Sequence, residues 1–171
     1  MPKIWCTADL HFNHPKCIEY CGRPFKSLED MHRVLIFNWN QRIKPEDIVI
    51  INGDFMFHSK QYTFDYFQKV LNGNKTFVLG NHDFKNRLPS KITSLSLYHA
   101  KQEIFVTHNP DHYNKSYKIN LVAHVHQYWK IKKIGNSILY NVGVDVHDFM
   151  PVSLNEILEN IQRAYKRKEI I

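Results

Sequence analysis

At 171 residues, 43% hydrophobic and 23% charged, the chain has the material for one well-cored domain, 1–171, and too little for two of ordinary size. A formal net charge of +7 and a pI near 9.3 favour anionic partners, phosphorylated molecules or nucleic acid. No apolar run approaches the roughly 20 residues of a membrane span, and Met1-Pro2-Lys3 leads straight into a strand pattern instead of a signal peptide. A cytoplasmic protein without a membrane partner is therefore expected.

Lys3 to Thr7 reads as a first strand, and Ala8 to His14 as the loop leaving it. Asp9 and His11, two apart, aim a carboxylate and an imidazole at the same side of an extended segment. The three cysteines, Cys6, Cys17 and Cys21, are odd in number and crowd the amino terminus, which argues against a disulfide framework. Cys17 and Cys21, four apart with His14 near, have the spacing of a shared helix face; they are read as ordinary reduced thiols in preference to a zinc site. Ser27, with Asp30 three residues on, marks a helix start, and Leu28, Met31, Val34, Leu35 and Trp39 recur at helical spacing to about Ile43. Ile48 to Ile51 is an apolar run of the kind buried on both faces, ending in Asn52-Gly53-Asp54.

Phe64 to Leu71 follows as an amphipathic helix stopped near Asn72-Gly73-Asn74. Thr76 to Leu79 is a strand that turns into Gly80-Asn81-His82-Asp83. Ile92, Leu95 and Leu97 suggest a strand, and Glu103 to Val106 another, ending in Thr107-His108. Tyr113, Lys115, Tyr117 and Lys118 read as a solvated loop in preference to the border of a nucleotide or single-strand groove. Leu121 to Ala123 ends in His124-Val125-His126, and Gly135-Asn136 signals a hairpin between Trp129–Ile134 and Ser137–Asn141. Ser153 and Glu156 form a capping-box pattern before a last helix. Arg163, Lys166, Arg167 and Lys168 near its end complement the helix dipole. His32, His58, His99 and His112 fit no motif and are taken as structural.

The informative pattern is positional. Five apolar strands each end in a group able to bind a metal, and the carboxyl ends of strands are where ligands collect in open α/β sheets. Asp9, His11, Asp54, Asn81, His108, His124 and His126 supply enough donors for two cations if one carboxylate bridges. A pair of metals roughly 3.5 to 4 Å apart suits displacement at phosphorus.

The order Asp-x-His, Gly-Asp, Gly-Asn-His-Asp, His and x-His-x-His, from Asp9 to His126, resembles the calcineurin-like metallophosphoesterase superfamily. His11-Phe12-Asn13-His14 with Arg23-Pro24-Phe25 further resembles its small bacterial and phage members. One departure is Ala123, where the last motif usually begins with Gly; a shifted loop with no ligand lost is the expected consequence.

The resemblance implies an α/β fold of two mixed β-sheets packed as a sandwich and flanked by helices. It implies one metal on Asp9, His11 and His126, and a second on Asn81, His108 and His124, with Asp54 bridging. A donor set with an amide oxygen and no thiolate fits Mn²⁺, with Fe, Ni or Zn as further options. The implied chemistry is phosphodiester hydrolysis by in-line attack of a metal-bridging hydroxide, with His82 protonating the leaving oxygen and Asp83 orienting its ring. His14 and Arg23 are expected to face the substrate phosphate. The alternatives are a phosphomonoesterase acting on a nucleotide or phosphoprotein, and a non-catalytic basic nucleic-acid-binding protein with structural metals. A metallo-β-lactamase-like hydrolase is set aside because its His-x-His-x-Asp-His run does not occur.

Overall fold

The computed structural model describes residues 2–86 and 88–167; Lys168, the last cation of the predicted carboxyl-terminal cluster, lies outside them. Among the described residues nine strands form two sheets: β1 (Ile4–Thr7), β2 (Ile48–Asn52), β3 (Asn74–Val78), β4 (Ser94–His99), β5 (Gln102–Thr107), β6 (Ile119–Val122), β7 (Ile131–Ile134), β8 (Ser137–Asn141) and β9 (Val152–Ser153). The helices are α1 (Pro15–Tyr20), α2 (Leu28–Arg42), α3 (Phe64–Val70), α4 (Asn81–Lys85) and α5 (Leu154–Arg167). Among the described residues no helix is long and apolar enough to cross a membrane.

The first sheet has the order β3-β2-β1-β9, with β1, β2 and β3 parallel and β9 antiparallel to β1. The second has the order β4-β5-β6-β8-β7, parallel from β5 through β6 to β8 and antiparallel at both edges. Both sheets are mixed and helices flank them, so the α/β sandwich expected from the resemblance is the fold.

Local chemistry explains the element ends. The Asp30 N–H donates to Ser27 Oγ at the start of α2, and the Tyr66 N–H donates to the Thr63 hydroxyl at the start of α3. At α5 the capping box is complete: Glu156 N–H donates to Ser153 Oγ, and Ser153 N–H donates to Glu156 Oε2. Gly135, at φ +58°, opens the two-residue turn that brings Ile134 opposite Ser137.

The pleat of β2 divides the core. Val49 and Ile51 face α2 and α3, packing with Met31, Leu35, Trp39 and Phe67. Ile50 points the other way and joins Cys6 and Val78 against Ile104, Val106, Leu121 and Tyr140 of the second sheet. Burial on both faces is why this strand reads as an unbroken apolar run. Asn52, the exception at its end, is fully buried and donates from Nδ2 to the carbonyls of Thr107 and Leu121. One amide thus ties β2 to the ends of β5 and β6, setting the exits of the two sheets at one level.

Candidate metal centre

The site is built where the parallel strands end. The loops leaving β1 and β2 run side by side, with Asp9 N–H donating to the Gly53 carbonyl at 3.1 Å and His11 N–H to the Asp54 carbonyl at 3.0 Å. Five of the seven candidate donors have left-handed backbone: Asp9 (φ 53°), His11 (51°), Asp54 (53°), His124 (71°) and His126 (45°). Each such L-residue costs roughly 1–2 kcal/mol, and strain gathered at one place marks a functional site when the surroundings enforce it. Here it turns imidazoles and carboxylates out of their strands and towards one another.

Two triads result. Ligating atoms of Asp9, His11 and His126 lie within 4.8 Å of one another, and those of Asp54, His108 and His124 do likewise. Asp54 Oδ2 stands between the triads, 3.7 Å from His11 Nε2 and 3.4 Å from His108 Nε2. Asn81 Oδ1 is 3.2 Å from His108 Nε2. All seven predicted donors therefore meet in one pocket, with Asp54 at the junction that a bridging ligand must occupy.

Two of the donors have buried polar atoms with no hydrogen-bond partner among the described residues: Asp9 Oδ1, and both Nδ1 and Nε2 of His11. Orphaned buried polar atoms cost about 1–3 kcal/mol each, and a divalent cation is a partner that would satisfy Asp9 Oδ1 and one ring nitrogen of His11. Oxygen and imidazole donors of this kind fit such ions.

Neighbours aim the ligands. His108 Nδ1–H donates to the Asn52 carbonyl at 2.8 Å, and His126 Nδ1–H donates to Asp145 Oδ2 at 2.8 Å, so both rings present Nε2 to the pocket. Asp9 Oδ2 accepts the His124 N–H at 3.0 Å. Close approach explains two glycines: a Cβ on Gly80 would collide with Asp54, and one on Gly143 would lie 2.6 Å from Asp9 Oδ2. Ala123 is fully buried, its N–H donates to the His108 carbonyl at 2.8 Å, and its φ is not positive, so no glycine is needed there.

The electrostatics are those of a cation site holding protons. Burial raises the Asp9 pKa to about 6 against the pull of His108 and His126. Burial also works against charge on Asp54, yet the hydrogen bond and charge of His108, with His11 beyond, hold its carboxyl well below the usual range. Burial disfavours charged His108 and His126, but Asp54 and Asp9 lift the former to about 9, and Asp145 and Cys21 help lift the latter to about 10. His11 and His124 are pushed down by burial.

The remaining predicted site residues are placed as follows. His82 lies at the mouth with 35% of its side chain exposed, Nε2 4.0 Å from Asp54 Oδ2 and its N–H donating to Asp54 Oδ1 at 2.9 Å. His14 caps α1, stacks on Phe57 at 4.0 Å and sits 6.2 Å from the His82 ring, at the edge of the cluster. Asp83 does not orient the His82 ring; its carboxylate is buried and accepts the N–H groups of Gly80, Asp54 and Phe55. Arg23 does not face a substrate either. Its guanidinium forks onto Asp145 at 2.8 and 2.9 Å and donates to the carbonyls of Asp9 and Leu10, leaving it buried.

Asp145, Asn52 and Cys21 were not anticipated. Asp145 follows β8, a parallel strand whose carboxyl end obeys the same rule as the other five. Cys21 Sγ lies 3.4 Å from His126 Nδ1 and 3.6 Å from Cys17 Sγ, so the thiols expected to be unremarkable border a candidate ligand. Hydrogen bonding from Cys17, with a further contribution from His126, outweighs burial and holds the Cys21 thiol below its usual range.

An α/β sandwich whose strand exits bring buried carboxylates together with imidazoles, their ligating atoms within 4.8 Å of one another in each triad, has the make-up of a metal-dependent hydrolase. The chain belongs to the calcineurin-like phosphoesterases, whose family profile matches residues 2–167. It is 34% identical over 175 residues to an uncharacterized protein of Methanocaldococcus jannaschii, covering 96% of this chain and 94% of that one. It is also 34% identical over 86 residues to the gene 66 protein of Mycobacterium phage D29, covering 48% of this chain and 41% of that protein. A solved structure of a protein of unknown function from Aquifex aeolicus shares the fold, with a TM-score of 0.73, 24% identity, and coverage of 93% and 99%.

Proposed function

We propose that the protein is a two-metal phosphoesterase that hydrolyses phosphodiesters, with Mn²⁺ as the cation that best matches the donor set. The observation that carries this reading is Asp54 Oδ2 standing between two donor triads, beside Asp9 and His11 atoms that are buried without a protein partner. Bound divalent cations supply a hydroxide nucleophile near neutral pH and neutralise charge on the phosphoryl oxygens. Asp9, His11 and His126 would hold one cation, and Asn81, His108 and His124 the other.

His82 would serve the leaving oxygen in this reading. Its backbone is anchored on Asp54 while its ring remains partly exposed at the mouth, where an imidazolium can give up a proton to a departing alkoxide. His14, at the edge of the same cluster, has a buried Nδ1 without a partner among the described residues and is assigned to the substrate side. Arg23 has no part in this contact. A diester, whose phosphorus carries a single negative charge and one leaving group, asks for no more than this nucleophile and this acid.

The test compares bis-p-nitrophenyl phosphate with p-nitrophenyl phosphate on protein reconstituted with Mn²⁺, with bound metal measured in parallel. Two equivalents of metal and faster turnover of the diester are expected. Faster turnover of the monoester would assign a phosphomonoesterase, and full metal occupancy without turnover of either would leave a binding protein.

A further inference from the structure

A cavity of about 220 Å³ opens directly off the metal centre, with Asn81 and His108 in its wall and Phe84, Thr93, Asn109 and His112 around them. Two candidate metal donors form part of the lining, so a group filling this space would be continuous with a phosphoryl group at the cations. Larger cavities, among them one of about 560 Å³ between Met56, Phe64, Lys85 and Leu88, include none of the seven donors.

Phe84 is the unusual member of the lining. Phe12, Phe55, Phe67 and Phe77 are buried in the core, whereas Phe84 is 60% exposed and belongs to neither hydrophobic cluster. It follows Asn81 by three positions on α4, so the two share a helix face and the ring stands one turn from the amide whose Oδ1 lies 3.2 Å from His108 Nε2. His82 occupies another face of the same turn. Opposite, the turn of Pro110–His112 after β5 brings His112 to the rim, four residues beyond His108.

The space is below the roughly 300–1,000 Å³ of a pocket for a drug-sized ligand and suits one ring system. An exposed aromatic face with a hydroxyl, an amide and an imidazole around it is the make-up of a stacking platform for a base. We propose that this cavity seats the retained arm of the substrate, a nucleobase stacked on Phe84, while His82 serves the departing arm. In an in-line displacement the retained ester oxygen stays equatorial, and an arm leaving it toward Asn81 and His108 would enter this cavity, whose wall they form. The proposal rests on the phosphodiesterase reading and adds its substrate class, a nucleotide ester.

Two esters with the same leaving group test it: thymidine 5′-(p-nitrophenyl phosphate) and methyl p-nitrophenyl phosphate. With Mn²⁺ bound, kcat/KM is expected to favour the thymidine ester by roughly 5- to 150-fold, the range for stacking one base. Phe84→Ala should bring the ratio close to one, and Phe84→Trp should keep it. Independently of metal and turnover, titrating thymidine into the metal-free protein should shift the Phe84 ring-proton resonances. Equal kcat/KM for the two esters, or a preference untouched in Phe84→Ala, overturns the cavity assignment and leaves the phosphoesterase reading standing. Failure of both esters on metal-loaded protein overturns the phosphodiesterase reading instead. In that case unshifted Phe84 resonances would dismiss the base site as well.

Discussion

The Asp83 carboxylate accepts the backbone N–H of Asp54 at 2.7 Å, and with the Gly80 and Phe55 N–H groups it fastens the loop after β2 to the loop after β3. A residue adjacent to the proposed acid thus holds the proposed bridging ligand. Asp83→Ala leaves three buried N–H groups without their acceptor, each worth about 1–3 kcal/mol. A large fall in thermal stability and weaker Mn²⁺ binding are expected. The pH at which turnover loses its acid should stay where it is, because Asp83 does not touch the His82 ring. A pH–rate profile displaced in Asp83→Asn would restore the ring-orienting role.

His82 and Asp54 separate chemistry from ligation. His82→Ala should lower turnover by roughly 10²- to 10⁴-fold, the range for a general acid, while metal analysis still finds full occupancy. Asp54→Asn should lose metal, since its Oδ2 lies within 4 Å of both His11 Nε2 and His108 Nε2. If His82→Ala also emptied the site, His82 would be a ligand.

Much of this centre is legible in the chain because each strand is a short apolar run and each exit is abruptly polar; Asp9, Asp54, Asn81, His108 and His124 all sit at such boundaries. What escaped depends on pairings far apart in sequence. Arg23 looks like a phosphate-binding arginine until Asp145, 122 residues away, takes its fork. Asn52 reads as a turn residue, and its carbonyl partners lie 55 and 69 residues on. Asp145 was hidden because β7 and β8 read as a hairpin, and only the parallel register of β8 with β6 shows that another strand exit faces the site. Periodicity likewise carries no information on which strands share a sheet.

Asp145 stands between two roles that one substitution can divide. It accepts from His126 Nδ1, which fixes the ring nitrogen presented to the metal, and it neutralises the buried Arg23. Removing such a partner typically weakens metal binding 10- to 100-fold, and breaking a buried ion pair costs about 3–5 kcal/mol. Asp145→Asn is expected to do both. In Arg23→Met, which keeps the carboxylate on His126, a stability loss is expected with a smaller change in Mn²⁺ affinity. Calorimetric titration beside thermal unfolding measures the two separately, and an unchanged metal affinity in Asp145→Asn would dismiss the orienting role.

Acid should destabilise the protein through histidines remote from the proposed ligands. His32 accepts the Asn13 N–H at 2.9 Å on Nε2, a role only the neutral ring can fill, and burial lowers its pKa to about 4. His147 donates from Nε2 to the Asn141 carbonyl, and burial lowers it to about 4 as well. Between pH 6.5 and 4 the unfolded chain takes up protons that these folded rings refuse, so stability present above 6.5 is lost as pH falls, by at most about 3 kcal/mol for each. Asp9, raised to about 6, opposes this by gaining a proton in the folded state over part of the same window. The elevated His108 and His126 act elsewhere, their contribution being full below 6.5 and lost as pH rises through about 9 and 10. Metal-free protein should therefore unfold at lower denaturant at pH 4.5 than at pH 6.5. His11 and His124, also held down by burial, act in the same direction, so His32→Gln, whose amide oxygen can take the Asn13 N–H without titrating, should flatten that slope in part without abolishing it. A slope unchanged in His32→Gln would show that this ring is not the acid-sensitive group.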